Sequence, residues 1–179
     1  MTPEEFGTLF SSFRRTAFRL ETLAHYSIPE EAESLRLWHA GQPPPPWQTD
    51  REWLKLVRAA AAAGKSIQRV RIVRRPLSDY IRLEFDWGYP DNERAGEAIH
   101  ILELGPGDEL PGLPEPDSGR GMHDFWLFDD VTVVRMEYDH RGRFLRPVAA
   151  SEHATAYCRC RDLVLARAVP FSTYQVQAS

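Results

Sequence analysis

Arg69, Arg71, Arg74 and Arg75 form the densest basic cluster in this chain of 179 residues. Guanidinium groups alternating along a strand suit phosphate oxygens, because each offers a planar fork of donors. The same run also reads as a solvated face, or as one paired with local acids such as Asp79, Glu84 and Asp86. A second candidate is the string His123-Asp124-Phe125-Trp126-Leu127-Phe128-Asp129-Asp130, where His123 and Asp130 bracket an apolar run. Asp129, Asp130, Glu137 and Asp139 carry the hard oxygens that a divalent cation takes, although acids at a strand turn are ordinarily just solvated. Trp47, Trp87 and Tyr89 could stack on a ligand or fill core seats. Cys158 and Cys160 would point apart on a helix and supply only half of a structural zinc site, so they read as free thiols. The histidines at 25, 39, 100, 123, 140 and 153 show no metal-ligand spacing, and no Gly-x-Ser-x-Gly, Walker or His-Glu-x-x-His motif is present. No metal and no cofactor is expected.

In its spacing the second string resembles the H-x-K-x-x-x-x-D motif of phospholipase D-like phosphodiesterases. In those enzymes the histidine attacks phosphorus, the lysine holds the anion and the aspartate orients the site. The resemblance gives His123 and Asp130 the catalytic places and puts Phe125 where the lysine belongs. An apolar ring there removes the charge that stabilises a transferring phosphoryl group. The plainer reading is a loop histidine ahead of a buried strand.

Lys plus Arg is 22 against 26 for Asp plus Glu, giving a net charge of -4. Lys55 and Lys65 are the only lysines. An acidic balance of this kind argues against generic nucleic-acid binding, which wants a basic face. Hydrophobic residues at 42% are too many for intrinsic disorder. No apolar run approaches the ~18 residues that cross a membrane. The start Met1-Thr2-Pro3-Glu4-Glu5 lacks the order of a signal peptide. The expectation is a soluble, cytoplasmic protein without membrane partners.

The elements that would position these residues can be read in order. Thr2-Pro3-Glu4-Glu5 is a capping box, and Phe6, Leu9, Phe10, Phe13, Ala17, Leu20 and Ala24 recur at helical steps, predicting one helix up to Ile28-Pro29. Glu30 to Ala40 reads as a second helix stopped by Gly41, and Pro43 to Pro46 as a polyproline spacer. Thr49-Asp50-Arg51-Glu52 predicts another capping box, opening a helix that ends at Gly64. Beyond residue 66, Val70 and Ile72 alternate with Arg69 and Arg71 as in a strand.

Ile81, Leu83, Phe85 and Trp87 also alternate with polar residues. A parallel neighbour needs a crossover, however, and the phospholipase D-like resemblance makes residues 78–90 that crossover helix. Ala98 to Leu104, Asp124 to Phe128, Val131 to Tyr138 and a short segment at Phe144-Leu145 read as strands. Gly105 to Gly121 reads as a long loop, and Ser151 as the cap of a last helix reaching Ala168. The expected fold is α+β (or α/β), with N-terminal helices packed on a mixed β-sheet and a phospholipase D-like topology. Residues 1–64 form the helical part and 65–179 the mixed-sheet core, within one globular unit.

Nearly the whole chain is similar to an uncharacterised family of small actinobacterial proteins. The likeness is carried by Phe18-Arg19-Leu20-Glu21, Arg69-Val70-Arg71-Ile72-Val73, Pro76-Leu77-Ser78-Asp79-Tyr80, Gly96-Glu97 and Asp124-Phe125-Trp126-Leu127-Phe128-Asp129-Asp130. It implies a neighbouring helix-turn-helix regulator, sometimes in a toxin–antitoxin-like pair, and no established activity. The function expected is that of a non-enzymatic regulatory or partner-binding protein working with that regulator. One alternative is a homodimeric phosphodiesterase or nuclease, each chain lending His123, with Arg143 or Arg71 replacing the lysine. Another is a nucleic-acid-binding module using Arg69 to Arg75. Arg19 and Glu21 are read as a polar clamp against the following domain.

Overall fold

The computed structural model describes residues 1–29, 31–109 and 124–174. Its centre is a seven-stranded mixed sheet. The strands are β1 (Thr16–Glu21), β2 (Ser66–Val73), β3 (Glu97–Glu103), β4 (Asp124–Phe128), β5 (Thr132–Tyr138), β6 (Phe144–Ala149) and β7 (Val169–Pro170), in spatial order β6-β5-β4-β1-β2-β3-β7. β1, β2 and β3 run parallel, and the remaining pairings are antiparallel. The α+β class read from the sequence is the class observed.

Each parallel step needs a crossover, and both are helical. Helices α1 (Pro3–Ser12), α2 (Glu31–His39) and α3 (Glu52–Ala62) precede β2, and α4 (Asp79–Leu83) and α5 (Tyr89–Ala95) connect β2 to β3. A π-helical turn, Glu84–Gly88, joins α4 to α5, with the Tyr89 N–H reaching back to the Glu84 carbonyl. Residues 79–90 are therefore helical, with Ser78 as their cap. Their alternation misleads because this crossover is apolar on most sides: Tyr80, Ile81, Leu83 and Phe85 are all buried. Ser78 caps α4 by accepting from the Ile81 N–H at 3.2 Å. Gly96, at a φ of 111°, ends α5 where a Cβ would lie 2.9 Å from Ala61.

Three sequence expectations need correction. The first helix stops at Ser12, and residues 16–21 form β1, between β2 and β4 in the middle of the sheet. β1 is buried on both faces, so the polar alternation that marks a half-exposed strand is missing, and its apolar residues happen to continue the helical spacing. Asp129 helps enforce the break by accepting the backbone N–H groups of Arg14, Arg15 and Thr16 at 2.7, 2.7 and 3.0 Å. The second capping box does not form. A 3-10 turn over Pro46–Asp50 intervenes, Thr49 donates to the Pro46 carbonyl, and α3 starts after an uncapped Arg51. Lastly, Ser151 accepts from the Val133 N–H in a 3-10 turn ahead of α6 (Ala154–Arg167) instead of capping that helix. The capping box of α1 is present in both directions, at 2.7 and 3.1 Å.

The two faces of the sheet differ. Under α6, Phe18, Leu20, Val70, Ile72, Phe125, Leu127 and Val133 pack with Tyr157, Cys160 and Val164 in a fully apolar layer. Opposite, α1, α3, α4 and α5 cover two apolar clusters, one around Trp126 and Phe128 and one around Tyr80 and Tyr89. Polar side chains lie between those two clusters. Among the described residues no helix is long and apolar enough to cross a membrane.

Candidate functional site

Side chains two residues apart on a strand share a face. The register sets Arg19 beside Arg69 and Glu21 beside Arg71 across the β1–β2 pair, with Trp126 beside Arg19 on β4. Arg19, Glu21, Arg69, Arg71 and Asp124 therefore converge on the helix-covered face, toward the carboxyl ends of the parallel strands. Ligands in open α/β sheets bind at that end.

The convergence is an ion-pair lattice. Arg69 donates from Nη1 to Glu21 at 2.8 Å and from Nε to Glu97 at 2.7 Å. Glu97 also accepts from the Trp53 indole at 2.9 Å. Arg71 donates from Nη1 to Glu21 at 3.1 Å. Its remaining N–H groups lack hydrogen-bond partners, and the guanidinium lies 4.8 and 5.7 Å from the Tyr26 and Tyr80 ring centres. Those aromatic faces attract a cation and stand in for the missing acceptors. Arg19 donates from Nη2 to Asp124 at 3.2 Å and to the Tyr138 hydroxyl at 2.9 Å. Asp124 further accepts from the Thr22 backbone and hydroxyl, both at 2.8 Å, and from the Tyr26 hydroxyl.

Titration follows from these pairings. Burial pushes the Glu21 carboxyl up, but Arg69, Arg71 and Arg19 outweigh it and hold the group at about 2. Burial wins at Asp124, whose pKa is raised despite Arg19. Tyr26 and Tyr80, desolvated and beside carboxylates, are pushed well above the ordinary phenol value and stay neutral donors.

Beside the lattice lies a cavity of about 540 Å³. Arg19, Glu21 and Arg69 form its floor, and Tyr26, Tyr80, Tyr138, Trp47 and Trp53 give it aromatic walls. A smaller cavity of about 300 Å³ adjoins it through Tyr26, Ile28, Glu31 and Tyr80. Arg51 lines the larger one and, among the described residues, bonds only to neutral oxygens, those of Gln48 at 2.9 Å and Asn92 at 3.1 Å. Two more carboxylates face the same space, Glu31 from α2 and Glu84 from the π-helical turn. Glu84 is 9% exposed, and among the described residues its carboxylate, which lies against Gly88, has neither a salt bridge nor a hydrogen bond. Burial, then the charge of Glu31, push Glu84 up to about 7. Glu31 is likewise raised by burial, against a hydrogen bond from Tyr80, and its Oε2 is buried without a partner.

The basic cluster divides. Arg69 and Arg71 are buried and belong to the lattice, and the acids they meet are Glu21 and Glu97. Arg74 donates to the carbonyls of Gly105 and Asp108 at 2.7 and 2.6 Å, and Arg75 pairs with Glu103 at 3.0 Å. His123 lies outside the described residues. Asp130 sits in the exposed β4–β5 turn, paired with Arg161 of α6. Phe125, at the motif's lysine place, is fully buried against Tyr157 and Phe18, on the sheet face opposite the cavity.

The acids suggested for a divalent cation are engaged separately: Asp129 by backbone amides, Glu137 by Arg146, Asp139 by Arg143. Among the described residues no three His, Cys, Asp or Glu side chains gather around a common point. Cys160 is a buried free thiol pushed by burial up to about 12, and Cys158 is partly buried.

Glu31, Glu97 and Asp124 were not singled out from the sequence as site residues. The available signal was the repeated spacing of charges in Arg19-x-Glu21 and Arg69-x-Arg71, set among apolar strand residues. No curated protein matches the chain. Residues 4–176 match a domain of unknown function, DUF6879, and the chain belongs to that family.

Proposed function

We propose that this protein acts by binding, as a non-enzymatic regulatory protein whose pocket takes a small ligand and whose partner is a helix-turn-helix transcription regulator. The observation that carries the reading is the pairing of Arg19, Arg69 and Arg71 with Glu21, Glu97 and Asp124, three of which (Arg19, Glu21 and Arg69) line the 540 Å³ cavity. Such a lattice holds its side chains in fixed positions, which lowers the entropy cost of receiving a ligand. The cavity volume falls within the range of about 300–1,000 Å³ that small-molecule sites occupy. Resemblance to the actinobacterial family supplies the partner.

The phosphodiesterase alternative has less support. Phe125 is sealed under α6, while Asp130 is engaged by Arg161 in an exposed turn. The nucleic-acid alternative loses two of its four arginines to internal ion pairs.

Purification of the tagged protein from its native lysate, read by mass spectrometry beside a His123→Ala control, tests the reading. One stoichiometric helix-turn-helix partner, retained by the control, is expected. Phosphodiesterase activity that disappears with His123→Ala would overturn it.

A further inference from the structure

The charges around the larger cavity do not balance. Three arginines and three carboxylates cancel within the lattice. Arg51 then faces two carboxylates, Glu31 and Glu84, of which Glu84 has no cationic partner within salt-bridge distance among the described residues. Glu52 also lines the cavity, but it is paired with Lys55 at 2.8 Å. With Glu84 ionised, one negative charge is left over in a space walled by aromatic rings. A buried carboxylate without a counter-charge is costly, and aromatic faces favour cations.

We propose that the cavity binds a small organic monocation, an ammonium group carried on an aromatic skeleton, with the charge between Glu31 and Glu84 and the ring among Tyr26, Trp47, Trp53 and Tyr80. This rests on the binding role proposed above and names the ligand class for the same pocket. Three features converge on it. Glu84 is nine-tenths buried and lines the cavity, without a hydrogen bond to its carboxylate among the described residues. It belongs to a π-helical turn, a distortion found mostly at functional sites. Gly88 leaves the room in which its carboxylate lies, since a Cβ there would stand 2.6 Å from Oε2. The guanidinium groups in the cavity wall are held by acids or by neutral oxygens, so an anion would find them occupied and would meet Glu31 and Glu84 unshielded.

Isothermal titration calorimetry on the full chain tests the class. The probes are benzylamine, tyramine and tryptamine, each beside the alcohol and the carboxylate of the same skeleton. At least one amine is expected to bind saturably and its carboxylate not at all. Glu84→Gln should weaken that amine about tenfold, as expected for the loss of one charge-assisted contact. Glu31→Gln provides a second variant, and the alcohol reports the same charge term without any mutation. Nα-acetyl-lysine amide offers the ammonium of a partner's side chain, and the aromatic amines should bind more tightly than it does.

Absence of preference for every amine over its own alcohol and carboxylate overturns the proposal. So does tighter binding of a carboxylate, which would leave the pocket's binding role in place with the opposite ligand charge. Retention of the regulator in the lysate experiment alongside either result would show that only the ligand class had failed.

Discussion

Glu84 lies against Gly88 in the π-helical turn, its Oε2 where a Cβ on residue 88 would come within 2.6 Å. An acid that could extend toward solvent is instead folded over a glycine and kept in the cavity wall. Gly88→Ala should push the carboxylate out of that seat. The fold should survive, because the displaced group is the end of a flexible side chain. The Glu84-dependent part of amine binding should fall, and calorimetry on the variant checks it.

Glu84 also sets a pH dependence. Its folded pKa is raised from 4.5 to about 7, first by burial and then by Glu31, against the attraction of Arg69 and Arg51 and with a further push from Glu21. The Tyr80 hydroxyl also faces it and stays neutral. A carboxyl raised on folding contributes stability below its unfolded value, and that contribution is lost as pH rises through the folded one. Glu84→Gln should therefore leave stability unchanged below about pH 4.5 and raise it by on the order of 3 kcal/mol above pH 7. Urea melts of both proteins at several pH values measure this.

Glu21 has the opposite sign. Burial raises it, but Arg69, Arg71 and Arg19 hold its folded pKa at about 2. Its contribution is complete above the ordinary carboxyl value of 4.5 and disappears as pH falls through about 2. Glu21→Gln leaves Arg71 without an acid partner and should cost about 3–5 kcal/mol at neutral pH. The variant should also lose less stability than the native chain between those two pH values, read by denaturant melts in acid.

Restoring a cation at the motif's lysine position should fail. Phe125 is fully buried in the layer under α6. Phe125→Lys removes its contacts with Tyr157 and buries a charge with no acid beside it, a loss of at least about 3 kcal/mol. Thermal melts should show the destabilisation, and assays on a generic phosphodiester substrate should show no gain of activity.

Asp129 is a structural acid. Its carboxylate accepts three successive backbone N–H groups between α1 and β1. Asp129→Ala should cost about 1–3 kcal/mol by leaving those donors unpaired. Hydrogen exchange at Arg14 to Thr16 should rise with it.

Most of the framework could be read from the sequence. The alternation at Val70 and Ile72, the turn before Phe144 and the capping box at Thr2 announce elements that are present. The crossover at 78–90 followed from what a parallel sheet requires, not from its own periodicity. β1 was hidden because a strand buried on both faces shows no polar period, and its residues continue the apolar steps of α1. The site was legible in pieces. Arg19 with Glu21 was readable as a clamp, and Arg69 with Arg71 as a shared face. Their meeting depends on a strand register between residues about fifty positions apart, with Arg19 set beside Arg69. Glu31 gave no signal and Glu84 only that of an acid near the arginines, because neither sits in a motif and they reach one cavity only through the packing of α2 on α4.

Glu84 stands in the cavity wall without a paired counter-charge among the described residues. Titrating its side-chain carboxyl by carbon-13 NMR, with Glu84→Gln to assign the resonance, measures that directly. A pKa of about 7 in the free protein is predicted, falling when a bound amine supplies the missing positive charge. A midpoint near the ordinary 4.5, unmoved by any of the amines, would contradict it.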